Sequence, residues 1–131
     1  GICSTTLIDD TYNANPGAVK AAIDALVAQP GRSILVLGDM GELGEDSIEM
    51  HKDVGRYAKQ AGVDMLLSVG SLTADTAQAF GSNNTHFTSH QGAIDCLRAS
   101  LSEGDVILIK GSRSARMEIV VDAISASGER N

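Results

Sequence analysis

Aromatic side chains are scarce in this sequence, which has no tryptophan, two tyrosines and two phenylalanines. A folded core must therefore be built from aliphatic side chains. Cysteine is equally scarce, and Cys3 and Cys96 are too few for a disulfide framework and lie in no pattern with zinc-site spacing. We therefore expect two free thiols in a reducing compartment, and no zinc site.

Long apolar runs and an excess of positive charge are also missing. No stretch approaches the roughly 18–20 apolar residues of a membrane helix, and no signal peptide is recognisable. The formal net charge of −7 argues against nucleic-acid binding, which requires a basic face. Lys110, Arg113 and Arg116 nevertheless form a local positive cluster that suits an anionic ligand.

What the sequence does contain is a repeated β-α pattern. Apolar, β-branched runs alternate with segments whose apolar residues recur at helical spacing. Near-continuous apolar strands indicate a sheet covered by helices on both faces. The sequence predicts one α/β domain over residues 1–131, a three-layer α/β/α sandwich with a Rossmann-like, mostly parallel sheet of about five strands. Because the chain lacks an initial Met and enters a strand almost at once, we expect a domain excised from a longer protein.

Three of the predicted strands stop abruptly at polar clusters. The clusters are residues 9–15 after the first strand, 38–44 after the second and 110–113 after the fifth. The carboxyl ends of parallel strands share one edge of a sheet, which is the edge where such sheets bind ligands. The sequence therefore predicts a binding or catalytic site built from carboxylates, amides, glycines and cations.

Individual residues in these clusters suit different ligands. A carboxylate such as Asp10 could hold ribose hydroxyls or Mg²⁺, or only cap the next helix. Asn15, directly before Pro16, suits a helix cap better than a ligand. Arg113 offers a planar fork for a carboxylate or phosphate, in a cluster expected where a helix begins and its N–H groups favour anions.

The loop 38–44 and the histidines are less specific. Three glycines in the loop permit close approach of a ligand, but neither a dinucleotide fingerprint nor a Walker A motif is present. The alternative is a long, mobile turn between strand and helix. His51 lies on a predicted buried helix face, which favours a half-buried, hydrogen-bonded histidine over a catalytic one. His86 and His90 are expected at the surface.

Four stretches, in order and spacing, carry a resemblance to a known family. They are IDDTYNANPGAVKAAI (8–23), VLGDMGELGEDS (36–47), HKDVG (51–55) and ILIKGSRSARME (107–118). Together they resemble the C-terminal domain of a Mur ligase over essentially the whole chain. The first and last stretches are most similar to the branch of the family that adds D-alanyl-D-alanine in bacterial peptidoglycan synthesis.

The resemblance implies one domain of a three-domain, ATP-dependent peptide ligase of the bacterial cytoplasm, whose N-terminal and central ATPase domains are absent from this chain. Such enzymes use ATP and Mg²⁺ to phosphorylate a UDP-N-acetylmuramoyl-tripeptide, and the amine of D-alanyl-D-alanine then attacks the acyl phosphate. Closure of the C-terminal domain onto the central one completes the site. We therefore expect no catalytic residue in this domain alone, and no activity from it.

By position, the resemblance also assigns residues to each ligand. Those expected on the ATP side are Asp10, Asn13 and Asn15. Those expected on the substrate side are Lys110, Ser112, Arg113, Asp39 and Glu42. Mg²⁺ is expected mainly on the central domain.

Two readings from other classes remain as alternatives. A phospho-receiver domain has the same length, paired aspartates after its first strand and a lysine after its fifth. It also needs an aspartate at the end of its third strand, where this sequence has Val69, Gly70 and Ser71. The second alternative is a stand-alone nucleotide-binding or interaction module.

Overall fold

The structure, a computed structural model, describes residues 6–10, 14–41 and 43–129, with residues 6–10 and 126–129 described by their backbone alone. The strands are β1 (Thr6–Asp10), β2 (Ser33–Gly38), β3 (Met65–Val69), β4 (Asn84–Phe87) and β5 (Val106–Lys110). The α-helices are α1 (Pro16–Ala28), α2 (Ser47–Ala61), α3 (Thr73–Phe80), α4 (His90–Ser100) and α5 (Glu118–Glu129). Short 3-10 turns at Gly44–Asp46 and Arg113–Ala115 precede α2 and α5.

The strands form one parallel sheet in the order β1-β5-β2-β3-β4, with helices on both faces. Leu35 and Leu37 of β2 point into a core with α1, α2 and α3. Ile34 and Val36, which alternate with them, point into a second core with α4 and α5. The predicted three-layer sandwich is therefore confirmed, with a core on each side of a five-stranded sheet. Both cores are mainly aliphatic, and Phe80 adds one buried aromatic ring to the first.

The strand order contradicts the phospho-receiver alternative. Receiver-type sheets have the order 2-1-3-4-5, with the first strand inside the sheet. Here β1 lies at an edge and pairs with β5, which separates it from β2. The receiver reading is therefore wrong.

Local sequence signals account for most of the helix boundaries. The Asn15 Oδ1 accepts a hydrogen bond from the Ala18 N–H at 2.9 Å, so α1 begins at Pro16 as predicted. Helix α2 ends at Gly62, whose φ of 100° belongs to the left-handed region that glycine tolerates. The Ser89 Oγ accepts from the Gly92 N–H at 3.2 Å and caps α4.

One strand is displaced from its predicted position. The sequence predicts the fourth strand over residues 86–88, whereas β4 covers Asn84–Phe87. Asn83 adopts a left-handed conformation with φ of 63°, and its carbonyl accepts the Leu66 N–H at 3.2 Å. Pairing with β3 therefore starts earlier than the polar sequence suggests.

Candidate functional site

The carboxyl ends of β1, β2 and β5, where the polar clusters begin, share one edge of the sheet. Lys110, the last residue of β5, is in register with Asp10 of β1 on one side and Leu37 of β2 on the other. The helices that follow β1 and β2 pack on one face of the sheet, and α5, which follows β5, packs on the opposite face. A crevice opens where neighbouring strands send their helices to opposite faces, so the loop after β5 lies in such a crevice on both sides.

The loop after β5 holds three of the predicted substrate-side residues. Lys110 belongs to the strand itself and is buried, with 1% of its surface exposed. The Ser112 N–H donates to the Asp39 carbonyl oxygen at 3.0 Å, and its hydroxyl lies 3.0 Å from that of Ser114. Arg113 is exposed. The structure therefore exposes Arg113, half-buries Ser112 and buries Lys110.

The expectation that an α-helix begins at this cluster is wrong. Residues 113–115 form a 3-10 turn, and α5 begins only at Glu118. Arg116 lies between them with a φ of 55°, a left-handed conformation that few residues other than glycine adopt. The N–H groups of Ala115 and Arg116 are taken by the carbonyls of Ser112 and Arg113, at 3.0 and 3.2 Å. The anion preference of a helix N-terminus therefore does not apply at Arg113.

Two glycines hold the loops after β2 and β5 together by allowing close packing. A Cβ on Gly38 would lie 2.7 Å from the Met117 Cγ, and a Cβ on Gly111 would lie 2.7 Å from the same atom. Met117 is fully buried at this point. Among the described residues of this loop, 38–41 and 43–44, Gly44 has a positive φ. Gly38 and Gly41 do not adopt the left-handed conformation. The predicted close approach is thus made by protein atoms.

Asp39 occupies the start of a neighbouring helix. Its carboxylate accepts hydrogen bonds from the N–H groups of Ser71, Leu72 and Thr73, at 3.2, 3.1 and 3.0 Å. Gly70, with a φ of 122°, lies against this carboxylate, and a Cβ there would be 2.5 Å from its Oδ1. Asp39 therefore caps α3 from outside the helix, and its contact with substrate stays a prediction.

His51 fixes the middle of the loop after β2. It is fully buried, more than the half-burial predicted from sequence. The Met40 N–H donates to its Nε2 at 3.0 Å, so Nδ1 carries the hydrogen and donates to the Ser47 carbonyl at 2.7 Å. The expectation of a hydrogen-bonded rather than a catalytic histidine agrees with this geometry.

The residues expected on the ATP side are only partly described. Asp10 ends β1 at the same edge as Lys110, as far as its backbone shows. Asn15 is exposed, and its side-chain oxygen is used to cap α1. Asn13, like Glu42 on the substrate side, lies outside the described residues. Within the described ranges, no group of three or more His, Cys, Asp or Glu side chains could hold a metal ion.

A residue at this edge that sequence reasoning missed is His90, the first residue of α4. Its Nε2 lies 2.7 Å from the Ala115 carbonyl oxygen, so α4 contacts the turn that carries Arg113. The residue is half-buried rather than fully at the surface. Its partner lies 25 residues further along the chain, so no local pattern could have indicated the contact.

Two further expectations concern the chain as a whole. Cys96 is a half-buried free thiol, as predicted, and Cys3 lies outside the described residues. In the part of the chain that the structure describes, no helix combines the length and apolar character needed to cross a bilayer.

Comparison with known proteins connects this edge to a family. The family model described as Mur ligase, glutamate ligase domain, matches residues 2–113. The UDP-N-acetylmuramoyl-tripeptide–D-alanyl-D-alanine ligase of Escherichia coli (strain K12) is 45% identical over 124 residues, which are 93% of this chain and 27% of that protein. The protein of the same name from Buchnera aphidicola is 39% identical over 118 residues, which are 88% of this chain and 26% of that protein.

Solved structures agree with these matches. The MurF ligase from Thermotoga maritima, crystallised in complex with ADP, has a TM-score of 0.86 and 28% identity, covering 99% of this chain and 30% of that one. This chain thus spans little more than a quarter of the curated relatives it matches. The family match over residues 2–113 and the 45% identity over 93% of the chain show that this chain belongs to the Mur ligase family.

Proposed function

We propose that this chain is the C-terminal domain of a bacterial UDP-N-acetylmuramoyl-tripeptide–D-alanyl-D-alanine ligase, a three-domain enzyme that uses ATP in the cytoplasm to extend the peptide of a peptidoglycan precursor. Support comes from the relatives, two of which carry that name at 45% and 39% identity. Further support comes from the Thermotoga ligase, which shares the fold of this domain and binds ADP.

The observation that carries the proposal is the crevice around the end of β5. It is flanked on both sides by strands whose helices leave to the other face of the sheet. The strand ends in a buried lysine, and the loop that follows it carries an exposed arginine. D-Alanyl-D-alanine has one carboxylate and one amine, so a cationic pocket can hold the first and leave the second to react.

On this proposal, Arg113 grips the dipeptide carboxylate. Its side chain makes no hydrogen bond or ion pair with other residues in the described ranges, so its donors are available. The Ser112 hydroxyl adds a polar contact beside it, and Lys110 adds positive charge beneath. Asp39 and Glu42 are proposed to line the same cleft. Asp39 also links this cleft to α3, because its carboxylate accepts hydrogen bonds from the first N–H groups of that helix.

The ATP side is proposed at the adjacent strand end. Asp10 ends β1, the neighbour of β5, and Asn13 and Asn15 come after it in the sequence. Nucleotide and dipeptide would therefore meet at the boundary between these two strands. Mg²⁺ is proposed to bind mainly to the central domain of the ligase, as the resemblance to the family implies.

In the reaction, this domain binds and orients rather than transfers protons. ATP phosphorylates the tripeptide's terminal carboxylate, and the dipeptide amine then attacks that carbon and displaces phosphate. Binding the dipeptide by its carboxylate, at the end away from the amine, holds the amine in an orientation suited to attack. Since the chain supplies only one wall of the cleft, the domain alone is expected to be inactive.

The test is the substitution Arg113→Ala in the complete ligase that carries this domain. Loss of a charge-assisted, two-pronged hydrogen bond should raise the KM for D-alanyl-D-alanine about ten- to hundredfold and leave the KM for ATP unchanged. Arg56→Ala is the matched control, because Arg56 is an exposed arginine of α2 whose ion pair with Glu49, at 3.0 Å, lies at the surface. Steady-state kinetics with each substrate varied in turn separates the two constants.

The companion variant Asp10→Ala should raise the KM for ATP instead. An unchanged dipeptide KM in Arg113→Ala would reject the assignment of the carboxylate site. A dipeptide defect in Asp10→Ala, with normal ATP kinetics, would show that the two ends of the cleft are interchanged.

A further inference from the structure

The turn that carries Arg113 is held from outside by a residue of another helix. The His90 Nε2 lies 2.7 Å from the carbonyl oxygen of Ala115, the last residue of the 3-10 turn. A carbonyl oxygen can only accept, so this nitrogen carries the hydrogen and donates. The turn's own hydrogen bonds use other groups, the N–H of Ala115 and the carbonyls of Ser112 and Arg113. His90 therefore adds a contact that the turn cannot make by itself.

The turn needs such support because its backbone is strained. Arg116, which follows Ala115 directly, has a φ of 55°, and a residue with a Cβ adopts this conformation only where its surroundings enforce it. On one side the enforcing contact is Met117, which is packed where side chains on Gly38 or Gly111 would be. On the other side it is the hydrogen bond from His90.

The backbone of the turn sets the position of the Arg113 Cα, from which the side chain extends. The guanidinium makes no hydrogen bond or ion pair with residues in the described ranges, so no other side chain there holds it. A shift of the turn therefore changes the point from which Arg113 must reach its ligand. Bidentate binding of a carboxylate is sensitive to such a shift, because both N–H donors must align at once.

We propose that His90 is a positioning residue for dipeptide binding: by holding the Ala115 carbonyl it keeps the turn 113–115, and with it Arg113, in the geometry that grips the carboxylate of D-alanyl-D-alanine. This inference rests on the proposed function. It assigns a role in substrate affinity to a residue of α4, a helix that otherwise packs against β3, β4 and α5.

The experiment compares three single variants in the complete ligase. His90→Leu replaces the imidazole with an apolar side chain of similar length and so removes the hydrogen-bond donor. The KM for D-alanyl-D-alanine should rise about three- to tenfold, with kcat and the KM for ATP unchanged. His90→Gln retains an N–H donor and should restore most of the lost affinity. Ser89→Ala is the matched control, because it removes the α4 cap bond to the Gly92 N–H without touching Ala115.

A double variant tests whether His90 acts through Arg113, and so separates the role of His90 from the proposed role of Arg113. If His90 acts through Arg113, His90→Leu should add no further rise in dipeptide KM to the Arg113→Ala enzyme. Full additivity would overturn the proposal, as would an unchanged KM in His90→Leu when Arg113→Ala is defective. An equal KM rise in Ser89→Ala would also overturn it, because helix stability alone would then explain the effect.

Failure of the proposed function gives a different pattern. Arg113→Ala would then leave the dipeptide KM unchanged, and the role of His90 would fall with it. Thermal unfolding of each variant confirms that the kinetics report folded enzyme.

Discussion

The Asp39 carboxylate caps a helix that begins more than thirty residues later in the chain, at Thr73. At the scale of single residues, Asp39 shows the largest difference between the contact expected from the sequence, with substrate, and the contact seen in the structure, with α3. A carboxylate that follows a strand in a glycine-rich loop resembles a ligand-binding group. Its three N–H donors come from the loop after β3, and they reach it only because β2 and β3 are neighbours in the sheet.

The variant Asp39→Ala tests this capping role. It leaves three N–H groups at the start of α3 without their acceptor, and should lower the free energy of unfolding by about 2 kcal/mol. Asp46→Ala is the control, since Asp46 precedes α2 but its side chain makes no capping hydrogen bond. This substitution should lower the free energy of unfolding by less than about 1 kcal/mol. Urea denaturation of the purified chain measures both. Equal losses would mean that Asp39 acts only through its charge.

At the scale of elements, α2 and α3 pack closely because Gly55 has no side chain. A Cβ at this position would lie 2.3 Å from the Thr76 carbonyl oxygen and 3.1 Å from the Ala79 Cβ. Thr76 and Ala77 on the facing side of α3 are buried in the same contact region. The glycine therefore costs intrinsic helix stability but allows the two helix backbones to touch.

Gly55→Ala should accordingly destabilise the protein, by about 1–3 kcal/mol, because the two helices must move apart. Gly17→Ala is the same substitution in an exposed first turn of α1, where the nearest atom to the new Cβ is the Asn15 Oδ1 at an ordinary 3.5 Å. There the better helix propensity of alanine should stabilise the protein by up to about 1 kcal/mol. Opposite signs in thermal or urea unfolding support the close contact, and stabilisation by both would contradict it.

Considered as a whole, the molecule has two unlike edges. The edge opposite the candidate site is tied by ionic contacts: Arg32 donates to both Asp105 carboxylate oxygens, at 3.1 and 2.7 Å, and to the Ser100 carbonyl at 2.7 Å. Asp64 accepts from the Ser33 N–H at 2.8 Å beside them. Burial by itself would raise the pKa of Asp105, but the hydrogen bonds from Arg32 and the Ser102 N–H, with the charge of Arg32, hold it below its ordinary value.

That lowered pKa predicts an acid-dependent contribution to stability. A carboxyl group whose pKa is lower in the folded state stabilises the fold above its unfolded pKa, and this stabilisation is lost as the pH falls through the folded value. The stability difference between the wild type and Asp105→Asn should therefore be largest near neutral pH and shrink below about pH 4. Urea denaturation across this range measures it. A difference that stays constant with pH would show that the charge of Asp105 is not responsible.

The sequence predicts the elements of this fold well and their arrangement poorly. The boundaries of α1, α2 and β3 follow from local signals, namely the Asn15 cap, Gly62 and a short apolar run. The strand order does not, because β-α alternation is compatible with an internal or an edge position for β1. The pairing of β1 with β5 joins strands about a hundred residues apart, which no local sequence signal indicates.

The candidate site shows the same division. That the clusters at the ends of β1, β2 and β5 meet on one edge is predictable, because parallel strands leave no other choice. Three features could not be predicted from the sequence, because each depends on contacts between residues distant in the chain. They are the burial of Lys110, the capping of α3 by Asp39 and the hydrogen bond from His90 to Ala115. The match to the Mur ligases therefore defines the family, and the packing defines what each side chain contacts.

The position of Met117 between Gly38 and Gly111 has a consequence for ligand design. A buried methionine packed against both glycines fixes the end of β2 and the first residue after β5 relative to each other, so part of the ordering cost of binding is already met in the fold. A small molecule fitted against these two strand ends would meet a preformed wall. Its affinity would then be decided by matching shape and charge, and rigid scaffolds should outperform flexible ones.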